Sequence, residues 1–419
     1  MSAVGIEAIG AYGGAAFVDV AELAEHRGLD QTRFANLLMR EKAIAMPYED
    51  PVSFAVNAAA PLVRSLSEDD RASIELLVTC TESGIDFGKS LSTYLHDLLG
   101  LSRTCRLFEV KAACYSGTAG LQTAVSFVLS NVSPGARALV IATDIARFTS
   151  DSPGEARVAD WSFAEPSVGA GAVAMLISDR PEVLVLDVGA SGYHGYEIMD
   201  TCRPRPDSES GDADASLMSY LDCCAATFAE YQRRVADADY LTTFDRLCFH
   251  TPFGGMVKGA HRTMLRRLHR LTPDEIEDDF HRRVEPGLSL CQRVGNIMGG
   301  TLYLNMLGAI SDASTTGALR LGLFAYGSGC CSEFFSGVVP PGGVDKVRSL
   351  ELESALDDRY RLGVDEYDAL RAFAKKKVVG GDVLFLPALS FLYLLGLIEY
   401  RPKIDAVEYV GPNETIQAL

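Results

Sequence analysis

Glu109–Leu121, with the sequence EVKAACYSGTAGL, carries the first indication of both fold and chemistry. The apolar run over residues 106–110 predicts a short strand, and the small and apolar residues from 116 to 129 predict a buried helix. Cys114 lies where this strand turns into this helix. The free N–H groups of a first helical turn and the positive end of the helix dipole favour a thiolate at such a place. A cysteine is more often a buried structural residue, but this context makes Cys114 a candidate covalent nucleophile.

The bulk composition bounds the size and the partners of the protein. Its 419 residues predict two or three units at roughly 100–200 residues each. Hydrophobic residues make up 48% and charged residues 22%, which is ordinary for a globular protein with a large core. The formal net charge of -18 argues against nucleic acid and against an anionic membrane surface as partners. An acidic partner would therefore have to bind a local basic patch.

Neither a secretory leader nor a membrane span is predicted. Residues 1–18 lack a basic start followed by an apolar block, and no stretch reaches the ~18 apolar residues of a span. The apolar run Val383–Leu397 contains Pro387 and is interpreted as core. The ten cysteines include no CxxC pair, which argues against a zinc ribbon or a thioredoxin-type site. We therefore expect reduced cysteines, no metal site and a cytoplasmic location.

Strand and helix patterns alternate along the chain and divide it into two halves, 1–178 and 179–419. Each half sets polar residues directly after apolar strands, as with Glu82 after residues 74–79 and His250 after residues 247–249. This pattern favours an α/β architecture with functional groups just beyond the strand ends. Residues 204–214, PRPDSESGDAD, are expected to form a polar loop without packing.

Six motifs occur in an order and at separations that resemble 3-hydroxy-3-methylglutaryl-CoA synthase, of the thiolase superfamily. They are CTESGIDFGKS (80–90), KAACYSGTAGL (111–121), GAGAVAML (169–176), FHTPFGGMVKGAHR (249–262), VGNIMGG (294–300) and FAYGSG (324–329). The variants CYSGTAG and YGSGCCSEFFSG resemble the synthases of polyketide β-branching cassettes, which work on acyl carrier proteins. The resemblance implies a thiolase-like fold, with two similar βαβαβαββ halves in a five-layer αβαβα arrangement, and a homodimer. It does not extend over the last ~60 residues.

The resemblance also implies an aldol-type condensation of two thioesters and assigns residues to it. Cys114 would hold an acetyl group as a thioester, and Glu82 would be the general acid/base. His250 would stabilise the alkoxide that forms on the acceptor ketone, with Asn296 as a second donor. The YGSG loop, with Gly327 and Ser328, would bind the thioester oxygen. A final hydrolysis would release the product from the enzyme.

Basic residues are the candidates for binding a carrier protein or the phosphates of CoA. Arg262, Arg266 and Arg270 recur every four residues of a predicted helix over residues 259–270, and Lys258 immediately precedes that helix. A second group lies near the N-terminus and consists of Arg33, Arg40 and Lys42. A run of charge is usually a solvated helix face, but an all-arginine stripe is less expected in so acidic a chain. The expected partners are an acetyl-acyl carrier protein as donor and a polyketide synthase acyl carrier protein as acceptor. No bound cofactor is expected beyond the phosphopantetheine that carries the substrates.

The sequence is also compatible with three other functions. The chain could be an ordinary hydroxymethylglutaryl-CoA synthase with both substrates on CoA. It could be a ketoacyl synthase III-like enzyme, a family that also uses Cys, His and Asn but lacks a glutamate at the position of Glu82. It could also be an inactive subunit that only binds a carrier, although the presence of Cys114, Glu82 and His250 counts against that.

Overall fold

The structure is a computed structural model and describes residues 3–86, 88–146, 164–205, 208–315, 317–378, 398–401 and 406–409. Sixteen strands occur in these ranges. In chain order they are β1 (Gly5–Tyr12), β2 (Ala16–Asp19), β3 (Glu41–Ile44), β4 (Ile74–Cys80), β5 (Arg106–Val110), β6 (Arg137–Ile145), β7 (Ala170–Ser178), β8 (Leu184–Gly195), β9 (Thr201–Arg205), β10 (Ser208–Gly211), β11 (Arg246–Phe249), β12 (Leu319–Gly327), β13 (Cys331–Val339), β14 (Tyr360–Leu362), β15 (Ile398–Arg401) and β16 (Ala406–Tyr409).

Fifteen α-helices accompany the strands in the described ranges, together with one 3₁₀ turn at Met298–Gly300. The helices are α1 (Val20–His26), α2 (Gln31–Ala35), α3 (Pro51–Ser65), α4 (Glu68–Ala72), α5 (Ser92–Leu98), α6 (Ser116–Ser130), α7 (Ala164–Ser167), α8 (Ala213–Arg234), α9 (Gly254–Leu268), α10 (Pro273–Arg283), α11 (Glu285–Val294), α12 (Thr301–Asp312), α13 (Gly343–Arg348), α14 (Leu352–Asp357) and α15 (Val364–Val378). None of the helices in the described ranges is both long and apolar enough to cross a membrane.

The main sheet has nine strands in the order β11-β12-β13-β8-β1-β7-β6-β4-β5. Its two halves repeat one pattern. In the first half β1 pairs antiparallel with β7, β7 antiparallel with β6, and β6 parallel with β4. In the second half β8, β13, β12 and β11 pair in the same senses. The halves meet through two residue pairs between β1 and β8. The predicted pair of similar α/β halves is therefore confirmed.

The second half departs from the first in one respect. The first half has a fifth strand, β5, which pairs parallel with β4 at the edge of the sheet. Residues 254–312 of the second half are all described and form helices α9 to α12 and the 3₁₀ turn instead of a matching strand. The sequence favours a helix at α10, because Thr272 and Glu275 cap its start reciprocally and Pro273 occupies its first turn.

The layers follow from which helices pack on which strands. Helix α3 packs on β1, β6 and β7, and α8 packs on β8 and β13, so these two helices cover the outer faces. Helices α6 and α12 pack on the strands of their own halves and meet each other through the 3₁₀ turn in the middle. A Cβ on Gly117 would lie 2.1 Å from the carbonyl oxygen of Gly299, so only glycine permits this contact. The result is the predicted five-layer order, with the nucleophile helix α6 in the central layer.

One expectation from the sequence is wrong, and another concerns residues that the structure does not describe. The segment 204–214 is not an unpacked loop, since β9 and β10 form an antiparallel hairpin and α8 begins at Ala213. Polar sequence hid this hairpin because its pairing uses backbone groups and not alternating apolar side chains. The run Val383–Leu397 lies outside the residues that the structure describes, as do residues 410–419.

Candidate active site

Cys114 lies in the tight turn between β5 and α6, as its sequence context predicts. Ala113 adopts a positive φ of 46°, a conformation that costs an alanine roughly 1 kcal/mol or more. The N–H of Tyr115 donates to the carbonyl of Ala112 at 3.1 Å, and the N–H of Ser116 donates to the carbonyl of Ala113 at 3.0 Å. These two bonds hold the strained turn closed and direct the Cys114 side chain into a cavity.

Glu82 contacts the nucleophile directly. The Cys114 thiol donates to Glu82 Oε1 at 3.3 Å. Burial raises the pKa of the Cys114 thiol well above its ordinary value, and the negative Glu82 carboxylate raises it further. The resting nucleophile is therefore a thiol and not the thiolate that the helix terminus alone would favour. Its proton has an acceptor already in place.

Asp144 fixes the loop that carries Glu82. Its Oδ1 accepts from the Glu82 N–H at 2.8 Å and from the Ser83 N–H at 2.9 Å, and also from the hydroxyls of Ser83 and Thr81. Burial and the neighbouring Glu82 charge raise the pKa of Asp144 to about 7. Asp144 was not predicted from the sequence, although an acid near the end of the fully buried strand β6 is a usable signal.

Arg203 binds the other oxygen of the same carboxylate. Its Nη2 lies 3.2 Å from Glu82 Oε2, and its Nη1 donates to the Glu82 carbonyl at 3.1 Å. Arg203 was also missed. It stands on the hairpin strand β9, far from Glu82 in sequence, and nothing local in the chain marks it as a partner of a carboxylate.

His250 follows β11 and is 2% exposed. Its backbone is fixed on both sides, because its N–H donates to the Phe324 carbonyl at 2.8 Å and its carbonyl accepts from the Tyr220 hydroxyl at 2.6 Å. Burial lowers the pKa of His250 to about 3, so the imidazole is neutral at physiological pH. Its Nδ1 has no hydrogen-bond partner among the described residues. A neutral ring on the cavity wall can donate one hydrogen bond to a ligand.

Two hydrogen bonds to its side-chain oxygen fix the orientation of Asn296. Oδ1 accepts from the Met298 N–H at 2.9 Å and from the Thr301 hydroxyl at 2.8 Å. With the oxygen occupied twice, the amide nitrogen is the group left to donate into the cavity that Asn296 lines.

Gly327 and Ser328 stand at the end of β12, opposite the nucleophile turn. Ser328 lines the cavity. A Cβ on Gly327 would lie 2.6 Å from the Tyr115 nitrogen and 2.8 Å from the Ala112 oxygen. Gly327 therefore allows β12 to pack against the back of the turn that holds Cys114.

A single cavity of about 760 Å³ joins these groups. Its wall includes Cys114, Glu82, His250, Asn296 and Ser328 from the predicted site. Arg33 at its rim and residues of the β9–β10 hairpin complete the wall on other sides. No cluster of three or more histidine, cysteine, aspartate or glutamate side chains in the described ranges is arranged to hold a metal ion.

The predicted basic stripe is shorter than expected. Arg262 and Arg266 are exposed on α9, but the helix ends at Leu268, so Arg270 lies beyond it. Lys258 forms an ion pair with Glu277 and lies over the ring of Phe280. None of these residues lines the cavity, whereas Phe253 and Met256 at the start of α9 do.

The second basic group does not form one surface. Lys42 is 1% exposed and donates to the Glu165 carbonyl at 2.6 Å, so it is a core residue. Its burial lowers the pKa of the Lys42 ammonium to about 7. Arg40 faces a separate cleft with Ser289 and Arg246, and only Arg33 of this group reaches the cavity.

Comparison with known protein families gives two matches across the body of the chain. The family model described as hydroxymethylglutaryl-coenzyme A synthase N terminal matches residues 1–182, and the corresponding C-terminal model matches residues 266–379. A third model, described as ABC-three component (ABC-3C) system Middle Component 8, matches residues 363–410.

Individual relatives are similar over most of their length. The polyketide biosynthesis 3-hydroxy-3-methylglutaryl-ACP synthase PksG of Bacillus subtilis (strain 168) is 60% identical, over 88% of this chain and 88% of the relative. A hydroxymethylglutaryl-CoA synthase of Enterococcus faecalis is 33% identical, over 88% of this chain and 91% of the relative. The crystal structure of the curacin biosynthetic pathway HMG synthase in complex with acetyl donor-ACP has a TM-score of 0.85 and 58% identity, over 88% of this chain and 89% of that one. The chain belongs to the hydroxymethylglutaryl-CoA synthase family.

Proposed function

We propose that this protein is an acyltransferase that adds an acetyl group to the β-ketone of a carrier-bound polyketide intermediate and so creates a β-branch. The observation that carries the proposal is the 3.3 Å contact between the Cys114 thiol and Glu82, in a cavity that also includes His250. One group can hold the acetyl unit, a second can take a proton from it, and a third can receive the oxygen of the acceptor.

The first step transfers the acetyl group. The Cys114 sulfur attacks the carbonyl carbon of the acetyl thioester while its proton passes to Glu82 Oε1. The bond from that carbon to the phosphopantetheine sulfur breaks, and the leaving thiolate takes the proton back. Glu82 is then a carboxylate again, next to an acetylated Cys114.

The second step makes the carbon nucleophile. Glu82 removes a proton from the acetyl methyl group, and the electron pair moves onto the thioester oxygen as an enolate. We assign the backbone N–H groups of Cys114 and Ser328, two residues of the cavity wall, as the donors for this oxygen. One such preorganised donor is worth about 3 to 4 kcal/mol in acyl-transfer enzymes.

The third step joins the two carbons. The enolate carbon attacks the β-ketone of the acceptor, whose oxygen becomes an alkoxide. The neutral imidazole of His250 and the amide of Asn296 are placed to donate to that oxygen. The proton that Glu82 gained neutralises the alkoxide, and water then hydrolyses the Cys114 thioester.

Carrier proteins are the proposed source of both substrates, with the groups held on phosphopantetheine. The support is the difference in similarity between relatives, 60% to a named HMG-ACP synthase against 33% to a named HMG-CoA synthase. The solved complex of the curacin enzyme contains an acetyl donor-ACP, and that enzyme is 58% identical to this chain. We propose the same class of donor here and a polyketide synthase carrier as acceptor. The homodimer, the division at 178/179 and the cytoplasmic location stay predictions.

The catalytic groups themselves do not distinguish a carrier from CoA, so a rate comparison tests the proposal. Purified protein receives acetyl and β-ketoacyl groups either on acyl carrier proteins or on CoA, at equal concentrations. We expect kcat/KM with the carrier pair to exceed that with the CoA pair by at least tenfold. Equal or faster turnover of acetyl-CoA with acetoacetyl-CoA would overturn the carrier assignment in favour of the ordinary synthase.

The same preparation tests the other two alternatives. An inactive subunit would bind the carrier without forming an acetyl adduct on Cys114, which mass spectrometry of the active-site peptide detects. A ketosynthase would keep its turnover when Glu82 is replaced by glutamine. The contact between Glu82 and the thiol favours neither alternative.

A further inference from the structure

The two oxygens of the Glu82 carboxylate have different partners. Oε1 accepts from the Cys114 thiol at 3.3 Å, and Oε2 pairs with Arg203 Nη2 at 3.2 Å. Arg203 also holds the carbonyl of the same residue through Nη1, at 3.1 Å. The guanidinium thus spans the side chain and the backbone of one residue, which a single point charge such as lysine cannot reproduce in full.

Acetylation of Cys114 affects only one of these two sets of contacts. Once the Cys114 sulfur carries an acetyl group it has no proton to donate, and Glu82 loses that hydrogen bond. The contacts with Arg203 do not involve the sulfur and can persist. They keep Oε1 turned toward the place where the methyl group of the thioester has to lie.

The charge of Arg203 acts in the same direction. The side chains of Arg203 and Glu82 are only 14% and 16% exposed, so solvent screens their attraction incompletely. An incompletely screened ion pair of this kind holds the Glu82 carboxylate in place more firmly than a fully exposed pair would. The thiol is affected as well, because burial and Glu82 raise the pKa of Cys114 whereas Arg203 partly lowers it.

The strand that carries Arg203 is tied to the opposite wall of the cavity. Asp200, directly before β9, accepts from the Gly329 N–H at 2.8 Å through Oδ1 and from the Tyr326 hydroxyl at 2.9 Å through Oδ2. Asp200 is fully buried. The YGSG loop therefore fixes the start of β9, and β9 in turn fixes the guanidinium against Glu82.

We propose that Arg203 is a positioning residue for the condensation: its contacts with the carboxylate and the carbonyl of Glu82 hold Oε1 aimed at the acetyl methyl group throughout the step that forms the enolate. The inference deepens the proposed function and rests on it. It assigns a task in the second half of the reaction to the β9–β10 hairpin, a segment whose sequence gives no sign of one.

The test isolates enolate formation from acetyl transfer. Wild-type protein and the variants Arg203→Gln, Arg203→Lys and Arg203→Ala are first acetylated on Cys114 with an acetyl carrier protein and then moved to deuterated water without acceptor. Mass spectrometry of the active-site peptide follows deuterium entering the methyl group. Arg361→Gln is the matched control, because it removes another ion-paired arginine, bonded to Glu22 at 2.7 Å and not part of the cavity wall.

We expect exchange in acetylated Arg203→Gln to fall at least tenfold at neutral pH. Arg203→Lys should recover part of the rate, and added guanidinium ion should raise exchange in Arg203→Ala. Arg361→Gln should match the wild type. A purely structural role would lower the amount of acetylated protein, and neither lysine at position 203 nor added guanidinium ion would restore the rate of exchange.

Two results would overturn the inference. If acetylated Arg203→Gln or Arg203→Lys exchanges with the wild-type rate, Arg203 does not position Glu82, while the proposed function stands. If wild-type Cys114 takes no acetyl group at all, the proposed function fails and this inference fails with it.

Discussion

At the scale of single residues, the nucleophile and the histidine are neutral while the Glu82 carboxylate beside them is paired with Arg203. The Cys114 thiol is protonated because it is buried beside a carboxylate, and His250 is neutral because it is buried. A neutral imidazole keeps one ring N–H that can donate to a ketone oxygen. The energetic cost of this arrangement should be visible in the pH dependence of stability.

His250 should make the folded protein lose stability in acid. Its pKa falls from 6.5 in the unfolded chain to about 3 in the folded one, so the unfolded chain binds an extra proton between these values. The free energy of unfolding should therefore decrease as pH falls below 6.5, by up to about 1.4 kcal/mol per pH unit from this residue.

The measurement is chemical denaturation of the wild type and of His250→Gln at pH 7 and pH 5. The loss of stability between the two pH values should be about 2 kcal/mol smaller in the variant. Carboxylates elsewhere contribute equally to both proteins and cancel in this difference. Equal losses would mean that His250 is protonated in the fold at little cost.

At the scale of elements, the site draws on equivalent strand ends of the two halves. Glu82 follows β4 and His250 follows β11, and these strands hold corresponding places in the two repeats of the sheet. Asp144 closes β6, and Ser328 follows its counterpart β12. The central helices then bring the two sets of strand ends to one cavity. The acid/base chemistry and the binding of the acceptor oxygen thus come from different halves of the molecule.

Gly327→Ala should slow acetyl transfer although position 327 carries no side chain. The new Cβ would meet backbone atoms of the Ala112–Tyr115 turn at 2.6 and 2.8 Å, and that turn would have to shift with Cys114. Displacements near 1 Å can cost about 10²-fold in rate. We expect at least a tenfold slower transfer from an acetyl carrier, measured by mass spectrometry at short times.

Gly259→Ala is the control, since a Cβ there has no atom within 4 Å. It should transfer acetyl at the wild-type rate and gain roughly 0.5–1 kcal/mol of stability in α9. Wild-type rates in Gly327→Ala would show that the turn tolerates the displacement and that the close packing is not needed for activity.

Sequence predicts much of the site at this scale because its residues follow strand ends. Cys114, Glu82 and His250 each stand within four residues of a strand end, and chain order with local pattern is enough to find them. Arg203 and Asp144 act by reaching residues far away in the chain, a property that no local pattern contains. The β9–β10 hairpin was missed for the same reason, since its pairing depends on backbone groups. Lys42 was wrongly expected on a basic surface, because the sequence does not distinguish a buried lysine bonded to a carbonyl from an exposed one.

At the scale of the whole molecule, charge constrains how a carrier can approach. The formal net charge of -18 repels an acidic carrier at long range. Arg262 and Arg266 are exposed on α9, and the cavity wall includes Met256, about two and three turns earlier. At 1.5 Å per residue the two arginines stand about 9 and 15 Å along the helix from Met256. A local basic strip of this kind can guide the phosphopantetheine arm toward Cys114.

Reversing this strip should weaken carrier binding without affecting the chemistry. The double variant Arg262→Glu/Arg266→Glu should raise KM for the acetyl carrier at least tenfold and leave kcat within about twofold. Arg64→Glu/Arg103→Glu makes the same change in net charge at two exposed positions away from the cavity wall and should leave KM near the wild-type value. Equal effects in both variants would mean that net charge alone, and not a docking strip, governs the encounter.

In the proposed reaction one sulfur holds the acetyl group while Glu82 takes a proton from it. The most direct measurement compares wild type with Glu82→Gln after exposure to an acetyl carrier in deuterated water without acceptor. Both proteins should carry acetyl on Cys114, and only the wild type should incorporate deuterium into the methyl group. Deuterium entering the methyl group equally fast in Glu82→Gln, or no acetyl on Cys114 of the wild type, would contradict the account.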